Sequence, residues 1–224
     1  MRKFIVTVFL ALLSVSAFAQ TPDQLWGELI AGNKVFVKGG QVVYDSMRER
    51  REGMANGQLP PVSILSCSDS RVPPEIVFQK TLGELFVVRV AGNVEDTYGV
   101  ASLEYAASKG WTKLLVVMGH SDCGAVTSSL AEPKQDQPTP SLYELILRIR
   151  KSFMKFDQDL PARTADNVCY TAMQLRRWSP TLKAVAIKTA LYDVRTGVVT
   201  ELSCGTTRDP TPLCRSSKCP EPKN

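Results

Sequence analysis

The sequence predicts an α/β fold: a mostly parallel β-sheet core covered by helices, with an antiparallel strand near the C-terminus. Three observations carry this expectation. Short apolar runs recur at "VSILS" (62–66), "LFVVRV" (85–90) and "KLLVVM" (113–118). Stretches with helical spacing alternate with them, the pattern of a parallel sheet covered on both faces. Near the end, "KAVAIKTALYDV" and "VVTEL" flank Arg195-Thr196-Gly197, which reads as a strand, a turn and an antiparallel partner.

The chain opens on Arg2 and Lys3, then a nearly unbroken apolar run, "FIVTVFLALL", then Ala17-Phe18-Ala19. A basic start, a short apolar core and a small-x-small site form a secretory signal peptide, with cleavage expected before Gln20. The apolar core is shorter than the about 20 residues a spanning helix needs. The expected mature protein is soluble, without stable membrane insertion, and lies in the periplasm or outside the cell.

Thr21-Pro22-Asp23-Gln24 reads as a capped helix start, with Leu25, Trp26, Leu29 and Ile30 on one face and Gly39-Gly40 at the end. A charged helix is expected from Asp45 to Asn56, closed by Gly57. Val100 to Lys109 has helical spacing and stops at Gly110, and helix signals resume from Cys123 to Ala131. "EPKQDQPTP" (132–140) reads as a polar connector. Ser141 to Glu144 reads as a capping box that opens an amphipathic helix through Phe156, with the stripe Leu142, Leu145, Ile146, Ile149 and Phe153. Another helix is expected from about Ala165 to Trp178. The expected organisation is a leader (1–19), one domain (20–202) and a Cys- and Pro-containing tail (203–224).

Composition sets limits. Of 224 residues 44% are apolar, which suits one domain with a sizeable core. The formal charge of +5 drops by two, to +3, once Arg2 and Lys3 leave with the leader. The bases are scattered and no stacking aromatics sit among them, so nucleic-acid binding is not expected.

The chemistry concentrates at the ends of two strands. Cys67-Ser68-Asp69-Ser70-Arg71 follows the first strand, and His120 and Cys123 follow the third. Ligands gather outside the carboxyl ends of strands in an open parallel sheet, so these side chains can converge. Two thiolates and one imidazole suit tetrahedral zinc, and three protein ligands leave a position open for catalysis. His120 is the single histidine of the chain. Asp69 stands either beside the site or as the ligand that closes it. A Cys–His thiol nucleophile is the competing chemistry. Gly92, in "RVAGN", reads as a turn residue.

Two jobs are expected of the six cysteines. Cys169, Cys204, Cys214 and Cys219 remain after Cys67 and Cys123 are set aside. In an oxidising compartment these four can form two disulfides, and Cys214 is near enough to Cys219 in sequence to pair with it.

The segments "CSDSRVPPE" (67–75), "LFVVRVAGN" (85–93) and "GHSDCGAV" (119–126) resemble the signature segments of the β-class carbonic anhydrases, and "ALYDVRTGVV" (190–199) resembles their last core strand and turn. The resemblance runs from about Leu25 to Leu202. It implies one zinc ion per chain on Cys67, His120 and Cys123, and Asp69 with Arg71 as the catalytic dyad. It also implies reversible hydration of carbon dioxide to bicarbonate and a homodimer or higher homo-oligomer. Two features depart from the family pattern: the short segment between Trp178 and Ala184, and the tail from Cys204. The alternatives are a related hydrolase of carbon disulfide or carbonyl sulfide, and a non-catalytic zinc protein whose site Asp69 closes.

Overall fold

The first strand of the sheet, β1 (Val62–Ser66), is buried at every position. It is a short, largely apolar run between Pro61 and Cys67, as a strand covered on both faces must be. The computed structural model describes residues 20–40, 46–131, 139–153 and 159–204. The expected leader, part of the connector, and Cys214 and Cys219 lie outside these described residues.

Around β1 run α1 (Pro22–Val37), α2 (Met47–Gly53), α3 (Pro74–Val77), β2 (Leu85–Arg89), a 3₁₀ turn (Ala91–Asn93), α4 (Thr97–Ser108) and β3 (Leu114–His120). The chain continues through α5 (Gly124–Ser128), α6 (Pro140–Arg150), α7 (Leu160–Trp178), α8 (Pro180–Lys183), β4 (Ala186–Tyr192) and β5 (Val199–Glu201). The sheet order is β2-β1-β3-β4-β5. The first four strands run parallel, with Val62 opposite both Leu85 and Leu114 and with Leu114 opposite Ala186. β5 returns antiparallel beside β4, Val199 opposite Tyr192.

Alternation along the strands sorts the core into two layers. Ile64, Leu114, Val116 and Met118 pack on one face with Leu25, Leu29 and Phe78. Leu65, Leu115 and Val117 pack on the other with Leu103, Val168, Leu175 and Leu182. Truncating any one of these fully buried leucines to Ala costs about 2–5 kcal/mol. A third cluster, with Val126, Ile149 and Phe153, surrounds Cys67 and Cys123 at the carboxyl end of the sheet.

The capping box at Thr21 and Gln24 is present, with both reciprocal bonds. Several expected boundaries move. α5 spans only Gly124–Ser128 of the stretch expected from Cys123 to Ala131, and α6 stops at Arg150 rather than running on through Phe156. α2 is shorter than the charged stretch that suggested it and buries none of its residues. α4 begins earlier, where the Asp96 carboxylate accepts from the Gly99 N–H. α6 begins at Pro140 after Thr139, without a side-chain cap, so Ser141 does not open a capping box. Of its expected stripe, Leu142 is exposed while Ile146 and Ile149 are buried. α7 begins at Leu160, capped by the Asp159 carboxylate, which accepts from Ala162 N–H.

Candidate metal centre

β3 runs past its apolar stretch to include His120 itself, which is paired in register with Tyr192. Cys123 follows after the tight Ser121-Asp122 turn and stands immediately before α5. That turn is pinned to the neighbouring strand. Ser121 N–H donates to Tyr192 O at 2.8 Å, and Val194 N–H donates to Ser121 Oγ at 3.0 Å. Gly119 lets α7 approach this strand end, since a Cβ there would lie 2.4 Å from Val168 Cγ2.

The ligating atoms of Cys67, His120 and Cys123 all lie within 4.8 Å of one another, and all three residues are buried. Among the described residues this is the one cluster of three such side chains near enough to share an ion. The two sulfurs are 4.0 Å apart, too far for a disulfide. Two thiolates on a tetrahedral zinc, each about 2.3 Å from it, stand about 3.8 Å apart. The imidazole is prepared as well. His120 Nδ1 donates to Ser121 O at 2.9 Å, since a carbonyl can only accept, and this leaves the Nε2 lone pair free. Nε2 is buried without a hydrogen-bond partner. A buried acceptor of this kind needs a partner, and a cation between it and the sulfurs satisfies all three atoms.

The thiol pair is polarised. The Cys67 thiol is lowered, first by the Cys123 S–H and then, against burial, by the backbone N–H groups of Asp69 and Gly92. Cys123 is pushed up by its bond to Cys67, by burial and by the neighbouring negative charge.

Asp69 stands beside the three ligands. Its Oδ2 is 3.9 Å from His120 Nε2. Both carboxylate oxygens are held by Arg71, Nε to Oδ1 at 2.9 Å and Nη2 to Oδ2 at 2.7 Å, and the Arg71 N–H donates to Oδ1. This grip holds the Asp69 carboxyl well below the usual carboxylate range. Arg71 Nη2 also donates to Asp122 O, which ties the 67–75 segment to the 119–126 segment.

Two residues contribute to the site that sequence reasoning did not assign to it. Arg89, at the end of β2, donates to the carbonyls of Cys67 and Asp69 and so sets the path of the loop. Gly92, at φ +66°, donates its N–H to Cys67 Sγ at 3.2 Å. The sequence signal for Arg89 was a charge terminating an apolar strand; Gly92 had none beyond turn propensity. Away from the centre, Cys169 and Cys204 form a disulfide.

The arrangement defines a class: a parallel α/β domain with a Cys-His-Cys site and an adjacent Asp–Arg pair at the carboxyl ends of its strands. Residues 62–199 match the family profile described as carbonic anhydrase, and the chain belongs to that family. It is 44% identical over 110 residues to carbonic anhydrase 2 of Mycobacterium tuberculosis, covering 49% of this chain and 53% of that protein. It is 36% identical over 134 residues to a carbonic anhydrase of Mycolicibacterium smegmatis, covering 59% and 65%. The chain thus spans about half to two-thirds of the length of these relatives. A β-carbonic anhydrase of Aspergillus fumigatus has the same fold, with a TM-score of 0.64, 21% identity and coverage of 83% and 94%. A tetrameric β-carbonic anhydrase of Sordaria macrospora does too, with a TM-score of 0.62, 21% identity and coverage of 81% and 98%.

Proposed function

We propose that this chain is an exported, zinc-dependent carbonic anhydrase that interconverts carbon dioxide and bicarbonate. The observation that carries the reading is the buried trio of Cys67, His120 and Cys123, with ligating atoms within 4.8 Å of one another and with Asp69, gripped by Arg71, beside it. Zinc held there supplies Lewis-acid activation of water.

The chain's own groups do the rest. Cys67 and Cys123 present the negative charge that a divalent cation needs, and His120 adds a neutral donor fixed by its bond to Ser121 O. Asp69 is an acceptor only, because Arg71 keeps it ionised. It accepts a hydrogen bond from the attacking water and fixes its lone pair toward the carbon of carbon dioxide. Carbon dioxide and water then give bicarbonate and one proton. Arg71 occupies both Asp69 oxygens and so keeps that carboxylate from becoming a fourth ligand, which favours an open site over one closed by Asp69.

Export is part of the proposal. The Cys169–Cys204 disulfide supports it, since such bonds persist in oxidising compartments. No helix among the described residues is long and apolar enough to cross a membrane. We also propose a homo-oligomer, supported by the tetrameric Sordaria macrospora neighbour and by β2 standing at the edge of the sheet.

The test is steady-state carbon dioxide hydration with metal analysis on one preparation of mature protein, whose first residue is read by mass spectrometry. Expected are about one zinc per chain, a start at Gln20, and hydration at neutral to mildly alkaline pH. A zinc-loaded protein that hydrates no carbon dioxide at any pH sinks the catalytic reading.

A further inference from the structure

We infer that Asn167 is a positioning residue for the Cys67 ligand: from α7 it locks the Gly92 turn whose backbone N–H donates to the Cys67 sulfur. The inference rests on the zinc reading above. Asn167 is 1% exposed, and its Nδ2 donates to Gly92 O at 2.6 Å. On the other side of the same residue, Gly92 N–H reaches Cys67 Sγ at 3.2 Å. Asn167 thus acts on the metal ligand through a single glycine.

That glycine needs an external lock. Gly92 sits at φ +66°, and a Cβ on it would lie 2.7 Å from Ile149 Cδ1. Its position therefore demands glycine, the residue with the greatest backbone freedom. Such a residue does not by itself hold its flanking peptides in one orientation. If the peptide after Gly92 turns, the N–H before it swings off the sulfur. Donation to a thiolate is charge-assisted, and groups that orient a metal ligand tune its hold on the metal.

The far end of this segment is held from α6. Its Arg148 guanidinium lies 4.6 Å from the ring centroid of Trp178, the last residue of α7. Arg148 pairs with the buried Glu95 carboxylate at 3.0 Å and donates to Glu95 O at 2.8 Å. Residues Gly92 to Glu95 are therefore held at one end by Asn167 of α7 and at the other by Arg148 of α6.

The experiment measures zinc affinity by chelator competition on the mature chain, with wild type, Asn167→Ala, Asn167→Leu and Leu175→Ala. Asn167→Leu keeps the branched shape and offers Gly92 O no donor in any protonation state. Leu175 is buried on the same helix about two turns further on, in the core layer against the sheet, and is the control for packing. Thermal melts of each metal-free protein identify the folded variants, and the cobalt(II) forms report thiolate-to-metal absorption. The expected result is zinc affinity about 10–100-fold weaker in the Asn167 variants, with altered cobalt absorption, while Leu175→Ala stays within about twofold of wild type. If Asn167→Ala does not fold, Asn167→Leu decides. A folded Asn167 variant with wild-type affinity and cobalt spectrum overturns the inference, whatever its melting temperature, and so does an equal loss in Leu175→Ala. A wild-type protein with no zinc affinity overturns the metal reading itself, and this inference with it.

Discussion

Arg71 grips Asp69 at three points: two guanidinium bonds, at 2.9 and 2.7 Å, and its own backbone N–H at 2.9 Å. The pair is only two residues apart, yet the Arg71 side chain also reaches across to Asp122 O at 3.1 Å. One guanidinium therefore fixes the carboxylate and joins the two loops that carry Cys67 and Cys123. Asp69 Oδ2 stands 3.9 Å from His120 Nε2, so a small rotation of a released carboxylate brings it into the ligand set.

From this follows the behaviour of Arg71→Ala. The three ligands are untouched, so zinc stays. Asp69 loses the partner that holds both its oxygens, and it then moves toward the cation or loses its orientation. A catalytic group misplaced by about 1 Å costs on the order of a hundredfold in rate. Arg71→Lys is expected to fail as well, because an ammonium is not a planar two-point donor. Hydration kinetics and zinc content on the same sample check this, and near-normal turnover with full zinc would show the pair to be a surface ion pair of little consequence.

The pH dependence of stability has a definite sign. Asp69 is held below the ordinary carboxylate value, chiefly by Arg71. Its folded value lies under its unfolded one, so its contribution is complete above the unfolded value of about 3.9. It is lost as pH falls through the folded value. In metal-free protein, the gap in melting temperature between wild type and Asp69→Asn is expected to hold steady from about pH 5 to pH 8 and to shrink only below about pH 4. A gap that closes between pH 7 and pH 5 would contradict the Arg71 grip as its source.

How far such features could be read in advance varies by residue. β1 was legible to its ends because an apolar run between Pro61 and Cys67 leaves one choice. The start of α7 was not. Its first turns bury Arg163, Thr164, Asp166 and Asn167, so the apolar period that marks a helix is absent there. Asn167 finds its partner, Gly92 O, only in the tertiary structure. The convergence of Cys67, His120 and Cys123 was legible because residue type and strand-end placement together suggest a shared site. Gly92 was not, since its role lies in an N–H that every residue but proline possesses, and only its conformation and neighbours give that N–H a target.

The disulfide makes a separate prediction. Cys169 on α7 and Cys204 just past β5 close a loop with a sequence separation of 35. A loop of that length stabilises by about 4 kcal/mol in the chain-entropy account, within the usual spread of about 2–4 kcal/mol. Cys169→Ser is expected to lose about that much in denaturant unfolding while keeping its zinc, because Cys67 and Cys123 are free and lie elsewhere in the fold. An unchanged midpoint would mean that the bond adds nothing to the fold.

Cys123→Ser examines the metal centre most directly. The change is small in volume, so the buried pocket between β3 and α5 keeps its shape. It replaces a sulfur that ionises with a hydroxyl that does not, and so removes one of two negative charges offered to the cation. Groups that merely orient a ligand are worth about 10–100-fold in metal affinity, and loss of a ligand should exceed the upper end of that range. Dialysis against a chelator that leaves wild type loaded is therefore expected to strip Cys123→Ser. Its melt without metal should remain cooperative, since the surrounding residues Val126, Ile149 and Phe153 are unaltered. Stoichiometric zinc retained by a folded Cys123→Ser protein would mean that the cation is not held by this trio.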